Sequence, residues 1–304
     1  MTSPSDAPEL TYRGGVVVAV DGSPAARVAA DWAARDAALR RVPLTVVHII
    51  APLELGPWVD FPLPDGFWDE RRRCAREIVD DALKVVHDAL TDMNREILVD
   101  HRIVEEAVVP TLVRMSRHAQ LIVVGSRGLG GVKALLLGSV SSGVLYRAHC
   151  PVAVIHDEDP LMDHPAQAPV AVGIDGSPAS WRATELAFDE ASRRGVGLVA
   201  VHTWMNRADF DVEVPSDAFA VQADANLAEQ LAGYGERYPD VVVQRVVAHD
   251  NPVHRLLAES ERCQLVVVGS HGRGGFRGML LGSVSTQVAQ SARMPVIVAR
   301  PENG

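Results

Sequence analysis

Two glycine-rich segments carry the residue types best suited to holding a phosphate group. The first reads Gly-x2-Gly-x9-Gly-Ser from Gly125, and the second repeats that spacing from Gly269. Glycine lets the backbone approach a ligand closely, and a Gly-Ser pair that opens a helix presents N–H groups and the positive end of the helix dipole. Ordinary turn glycines with a serine cap are the alternative for either segment alone. Because the pattern occurs twice at identical spacing, it predicts two phosphate sites.

Two further residue pairs recur at matching positions. Asp21 and Asp175 each follow a short apolar run, where an aspartate either starts a turn or contacts ribose hydroxyls or a water-held metal ion. His48 and His202 lie inside apolar runs, which favours buried, hydrogen-bonded imidazoles over catalytic ones. Neither half has a P-loop, a nucleophile-elbow motif or a GxGxxG after its first apolar run. The motifs therefore predict a nucleotide cradle without an evident catalytic machine.

These motifs sit in a duplicated α/β pattern. Apolar, β-branched runs alternate with helical segments, which is typical of a doubly wound parallel sheet. The predicted fold is two tandem, Rossmann-like, five-stranded domains, at residues 1–158 and 167–304, joined by an acidic, proline-rich stretch. The predicted strands are 16–20, 44–50, 97–104, 121–124 and 152–155, then 170–174, 198–203, 241–248, 265–268 and 296–299. The helices predicted in the first half are about 24–41, 68–90, 110–118 and 139–148.

Composition narrows the functional class. The 304 residues include 29 Lys and Arg against 39 Asp and Glu, a net charge of −10 that weighs against nucleic-acid binding. The 3 cysteines form no CxxC pair, which weighs against a disulfide framework or a cysteine zinc site. The first residues lack the features of a signal peptide, and no apolar run is long enough to span a membrane. We expect a soluble, cytoplasmic protein.

The repeated glycine motif, the aspartate after the first strand and a late Pro-Val-x-Val strand closely resemble the universal stress protein family, in its tandem, two-domain actinobacterial type. The resemblance implies strand order 3-2-1-4-5 and ATP or a related adenine nucleotide in each half, with Mg²⁺ or Mn²⁺ held through the phosphates. It also implies pairing of the two fifth strands, a homodimer, as yet unknown protein partners, and a role in stress, dormancy or growth regulation. The alternatives are a slow ATPase or autophosphorylating enzyme using the same sites, and a scaffold that no longer binds nucleotide.

The resemblance also assigns site residues to each half. Aspartates would be the acidic contacts, the end of the second strand would meet adenine through its backbone, and the glycine loop and following helix would hold ribose and phosphates. In the first half the residues are Ala19, Asp21, Ile49, Val109, Gly125, Ser126, Arg127, Gly128, Leu129, Gly130, Gly131, Gly138, Ser139, Val140 and Ser141. In the second half they are Gly173, Asp175, Thr203, Gly269, Ser270, His271, Gly272, Arg273, Gly274, Gly275, Gly282, Ser283, Val284 and Ser285.

Two departures from the family pattern affect these assignments. The segment before the third helix reads Val-Val-Pro at 108–110, where the family usually has Gly-x-Pro. Leu129 stands in the first loop where the second has Arg273, so the second site is expected to bind at least as tightly as the first.

Overall fold

The computed structural model describes residues 14–53, 64–128, 137–157, 165–204, 216–272 and 281–300. Strands and helices alternate along these residues, apart from one short 3₁₀ turn at Pro165–Gln167. The strands are β1 Val16–Ala19, β2 Leu44–Ile50, β3 Val99–Glu105, β4 Leu121–Gly125, β5 Val152–Ile155, β6 Val170–Gly173, β7 Leu198–Trp204, β8 Val243–His249, β9 Leu265–Gly269 and β10 Val296–Ala299. The helices are α1 Pro24–Arg40, α2 Phe67–Asp92, α3 Val108–Met115, α4 Ser139–Arg147, α5 Pro178–Arg194, α6 Ser216–Arg237, α7 Pro252–Ser260 and α8 Ser283–Ser291.

The ten strands in the described part of the chain form one continuous sheet in the order β3-β2-β1-β4-β5-β10-β9-β6-β7-β8. Within each half the pairing is parallel, and the predicted order 3-2-1-4-5 is confirmed. The halves meet where β5 pairs antiparallel with β10, with Ala153 opposite Ile297. This confirms the predicted pairing of the fifth strands, and it covers two short apolar edges that would otherwise be exposed.

Buried valine, leucine and isoleucine side chains fill both faces of the central strands. One cluster packs α1, α2, α5 and α6 against one face of the sheet, and a second packs α3, α4, α7 and α8 against the other. Helix α1 approaches the sheet on a stripe of buried alanines, whereas α5 places the larger Phe188 at the matching position. The ring of Phe188 stacks on Tyr234 of α6 and on Tyr238, the residue that follows this helix. The two halves thus share an arrangement of strands and helices, but side chains of different size pack between the first helix and the sheet.

The sequence-based limits of several elements differ from the structure by a few residues. Helix α3 begins at Val108 rather than at Pro110. A proline is accepted within the first turn because the N–H groups of that turn have no partner inside the helix. The same helix ends at Met115, and residues 116–118 form a turn instead of a last helical turn. Strand β1 ends at Ala19, although the N–H of Val20 still donates to Val47.

Helices α1 and α5 meet through four buried charges, which we call the interdomain charge cluster: Asp36, Arg40, Glu190 and Arg194. Arg40 bonds Asp36 at 2.6 Å within α1 and also contacts Glu190 of α5. Arg194 contacts Glu190 within α5 and bonds Asp36 at 3.0 Å across the interface. The four side chains are 0–7% exposed. Within the cluster each acid faces one arginine from each half, and Glu190 also lies 3.3 Å from Arg193 outside it.

Candidate functional site

A cavity of about 620 Å³ opens beyond the carboxyl ends of β1 and β4. This is the edge of a doubly wound sheet at which ligands bind, and the volume lies within the usual range for small-molecule sites. The structure brings ten of the predicted first-half residues to its lining. They are Ala19, Asp21, Ile49, Gly125, Arg127, Gly128, Gly138, Ser139, Val140 and Ser141.

The turn from β1 into α1 is fixed to the loop after β4 by hydrogen bonds. Oδ1 of Asp21 accepts from the N–H of Ser23 at 3.0 Å, and Oγ of Ser23 caps α1 by accepting from Ala26. The same hydroxyl donates to the carbonyl of Arg127 at 3.3 Å. Asp21 thus starts the turn, which is one of the two roles that the sequence left open, and it does so beside the glycine loop.

The second half repeats this arrangement atom for atom. Oδ1 of Asp175 accepts from Ser177 at 2.9 Å, and Oγ of Ser177 donates to the carbonyl of His271 at 3.1 Å. A Cβ placed on Gly272 would lie 2.6 Å from Oδ2 of Asp175, and one on Gly128 would lie even closer to Oδ2 of Asp21. Glycine at these two positions is what lets the carboxylate lie against the loop.

The first turns of α4 and α8 form the second wall of each cradle. Gly138 is the residue before α4, and it has no side chain to accept from the first helical N–H groups. Its own N–H donates to the carbonyl of Ser126 at 2.8 Å, and Gly282 does the same to Ser270 at 2.7 Å. Ser139 lines the cavity with an exposed side chain, so the opening turn of α4 faces the cavity with its N–H groups and a hydroxyl.

Four of the predicted serines are buried within the two cradles. The hydroxyl of Ser141 is buried and donates to the carbonyl of Gly125 at 2.6 Å, and that of Ser285 donates to Gly269. Ser126 and Ser270 are completely buried beneath the loops. The hydroxyls of Ser141 and Ser285 thus tie the first turns of α4 and α8 to the ends of β4 and β9.

One predicted residue, Val109 of α3, departs from its expected position. Val109 lies against Gly143 of α4, and Val108 lines the cavity in its place. Val284 packs against the hydrophobic core, as does its first-half equivalent Val140, which also lines the first cavity. Gly173 is the last residue of β6, at the place that Ala19 has in β1. Thr203 is the penultimate residue of β7, at the place that Ile49 has in β2. The predicted residues Leu129, Gly130, Gly131, Arg273, Gly274 and Gly275 lie outside the described residues.

The recurring histidines are held by backbone. Nδ1 of His48 donates to the carbonyl of Val20 at 2.8 Å, and Nδ1 of His202 donates to Ile174 at 2.7 Å. Since a carbonyl only accepts, these bonds place the proton on Nδ1 of each ring. The satisfied imidazoles that the sequence favours are present, but they are half-buried, and His48 lines the cavity.

Helix α2 supplies a wall that the motifs do not indicate. Arg71, Cys74, Ala75 and Ile78 line the cavity from this helix, and Arg71 donates to the carbonyl of Ala51 at 2.6 Å. Its guanidinium also lies over the ring of Trp68, 5.5 Å from the ring centroid. The helical spacing of Cys74, Ala75 and Ile78 was the available signal, since it puts all three on one side of α2.

Comparison with known proteins assigns the chain to a family. The family model for the universal stress protein family matches residues 14–156 and again residues 168–300. The chain belongs to the universal stress protein family. A universal stress protein of Mycobacterium tuberculosis, Rv2623, is 54% identical over 290 residues, covering 94% of this chain and 96% of that protein. Another from the same organism, Rv2005c, is 52% identical over 292 residues, with 94% and 97% covered.

A solved structure agrees at the level of the fold. The crystal structure of a universal stress protein from Archaeoglobus fulgidus superposes with a TM-score of 0.69 at 23% identity, covering 94% of this chain and 96% of that one. The tandem universal stress architecture expected from the repeats is therefore confirmed. Among the helices that the structure describes, none is long and apolar enough to cross a membrane.

Only one of the three thiols of this universal stress protein should react while the protein is folded. Cys74 is exposed, whereas Cys150 and Cys263 are buried, and burial raises the pKa of each buried thiol to about 12. Because the thiolate is the reactive form, iodoacetamide at pH 7.5 is expected to label one cysteine per native chain and all three after unfolding. Mass spectrometry of labelled peptides checks this, and rapid native labelling of Cys150 would contradict the described packing.

Proposed function

We propose that each half binds one adenine nucleotide, ATP in the first instance, and that the protein acts as a nucleotide-dependent regulator. The observation that carries the proposal is the convergence, in the first half, of a glycine loop, an aspartate and an uncapped helix N-terminus on one cavity. Membership of the universal stress family supports it. The matching hydrogen bonds of the second half support a second site of the same design.

The cavity offers a different chemistry at each of its parts. Apolar groups on Ala19, Ile49 and Val108 suit the face of an adenine ring, whose edge would meet backbone atoms at the end of β2. The carboxylate of Asp21 suits ribose hydroxyls, because a short acidic side chain beside a glycine loop is the usual ribose contact in doubly wound folds. The opening turn of α4 suits the phosphates.

A divalent ion would enter with the nucleotide. Within the residues that the structure describes, no group of three His, Cys, Asp or Glu side chains is arranged to hold a metal ion. We therefore propose that Mg²⁺ or Mn²⁺ binds through the phosphate oxygens and neutralises their charge. Asp21 and Asp175 are the cradle carboxylates that would hold such an ion through water.

We propose that nucleotide binding changes the conformation or the partner choice of the protein, with little hydrolysis of the bound nucleotide. Oδ1 of Asp21 is committed to the turn and Nδ1 of His48 to a carbonyl, so both polar groups already serve the fold. We propose that occupancy of the cradle is read by partner proteins during stress, dormancy or growth control. Association of two chains into a homodimer stays a prediction.

Cys74 provides a direct test, because it lies in the wall of the first cavity. Saturating ATP with Mg²⁺ is expected to lower the rate at which Cys74 is alkylated by at least about fivefold, because a bound ligand would cover most of the cavity wall. The matched control is Cys263, labelled in the unfolded protein, where ATP should change nothing. If the rate at Cys74 is the same with ATP and with sodium chloride of equal ionic strength, the first-half site is not where we place it.

A further inference from the structure

The two cradles differ in the charges beside their glycine loops. In the first half, Arg127 lines the cavity immediately before Gly128. In the second half the equivalent residue is His271, whose Nδ1 lies 3.1 Å from Oγ of Ser270. A guanidinium is charged at every accessible pH, so the first cradle has a permanent cation at this point.

That cation is shared with a carboxylate outside the glycine motif. Nη2 of Arg127 lies 3.3 Å from Oδ1 of Asp157, and the two side chains are 39% and 31% exposed. The contact follows from the sheet, because Gly125 of β4 pairs with Ile155 of β5. Residues two positions beyond each strand end therefore emerge side by side.

The second half has no carboxylate at the corresponding place in its sequence. Gly269 of β9 pairs with Ala299 of β10, so the counterpart of Asp157 is Pro301. The acid thus belongs to the first half alone, and it stands beside the loop on which the proposed phosphates would lie.

Building on the proposed nucleotide site, we infer that Asp157 is a specificity-determining residue that limits how much phosphate charge the first cradle accepts. A phosphate that approaches Arg127 has to share its guanidinium with Asp157 and is repelled by the carboxylate itself. Both effects grow with the charge of the ligand. The first site therefore favours nucleotides with fewer phosphate charges, relative to the same site without Asp157.

The expected effect is moderate, because the pair is partly exposed. Exposed ion pairs contribute about 0.2–1 kcal/mol, so Asp157→Asn is expected to tighten ATP binding at the first site about two- to fivefold. AMP, which carries less charge, should gain less. Raising the salt concentration to 1 M should shrink the difference, because the screening length falls to about 3 Å.

The experiment isolates the first site and changes one charge at a time. Ser283→Glu places a carboxylate at the start of α8 and is used to close the second cradle. In that background, calorimetric titrations of ATP and of AMP compare Asp157 with Asp157→Asn at low salt and at 1 M salt. The matched control is Asp224→Asn, which also removes one acid from a partly exposed ion pair, with Arg245, far from the first cradle.

Each outcome has a distinct meaning. A gain for ATP that exceeds the gain for AMP, is absent in the Asp224→Asn control and fades with salt supports the inference. If Asp157→Asn leaves the affinities for ATP and AMP unchanged, or changes both equally, the inference is overturned. The proposed nucleotide site then stays in place, because both nucleotides still bind. A Ser283→Glu protein that binds neither nucleotide overturns the first-half site together with the inference.

Discussion

Replacing Arg194 by methionine is expected to lower the free energy of unfolding by about 3–5 kcal/mol, the cost of removing one partner from a buried ion pair. Arg194 contacts Asp36 across the interface and Glu190 within α5, with its side chain 7% exposed. Methionine keeps much of the volume but leaves two buried carboxylates short of one cation. Urea unfolding followed by circular dichroism measures the difference.

The control for Arg194→Met is the same substitution in an exposed pair. Arg245 bonds Asp224 at 2.8 Å near the surface, and Arg245→Met is expected to cost no more than about 1 kcal/mol. Equal costs at the two positions would show that the interdomain charge cluster is not buried as described.

Replacing the whole cluster should be far milder than breaking it. A variant without any of the four charges also lacks their desolvation cost, so its free energy of unfolding should stay near that of the unaltered protein. This variant combines Asp36→Leu, Arg40→Met, Glu190→Leu and Arg194→Met.

Burial alone would raise the pKa of Asp36, but Arg40 and Arg194 hold that pKa below its ordinary value. The stability that Asp36 contributes is therefore present above about pH 4 and is lost as the pH falls through the folded pKa.

The second large effect is expected at the helix openings of the two cradles. Ser139→Glu should weaken ATP binding in the first half at least about 100-fold, because a carboxylate at this point takes the helix N–H groups from the phosphates and repels them. The loss of two charge-assisted hydrogen bonds, each about 1.5–3 kcal/mol, accounts for that factor. Ser283→Glu should act in the same way on the second half.

The fold should tolerate both glutamates. An acidic side chain in the first turn of a helix is favourable by about 0.3–1 kcal/mol, so the melting temperature should not fall. Ser142→Glu is the matched control, since it adds the same charge to α4 at a residue that does not line the cavity. Calorimetry with ATP compares the three variants. Full binding by Ser139→Glu would show that α4 does not hold the phosphates.

The sequence carried enough information for the fold because the halves are copies. Short β-branched runs at fixed places in both copies indicate buried parallel strands, and the strand limits differ from those predicted by only a few residues. The order 3-2-1-4-5 came from resemblance, because periodicity says which residues face a core but not which strands are neighbours. The structure supplies that order through its pairing.

The parts of the site that were missed depend on contacts distant in sequence. Val108 and Val109 are both apolar and adjacent, so only the packing of Val109 on Gly143 shows which one lines the cavity. Asp157 reaches Arg127 because β5 lies next to β4, a fact of topology. In the sequence, Asp36 with Arg40 and Glu190 with Arg194 look like two ordinary ion pairs, each within one helix. Only the packing of α1 against α5 joins them into one cluster.

The most direct test of the central claim is to denature the purified, ATP-saturated and desalted protein and count the adenine nucleotides released per chain. We predict about two for the unaltered protein, about one for Ser139→Glu and for Ser283→Glu, and none for the double variant. A folded protein that releases no nucleotide, and that binds no added ATP by calorimetry, would contradict the proposed function.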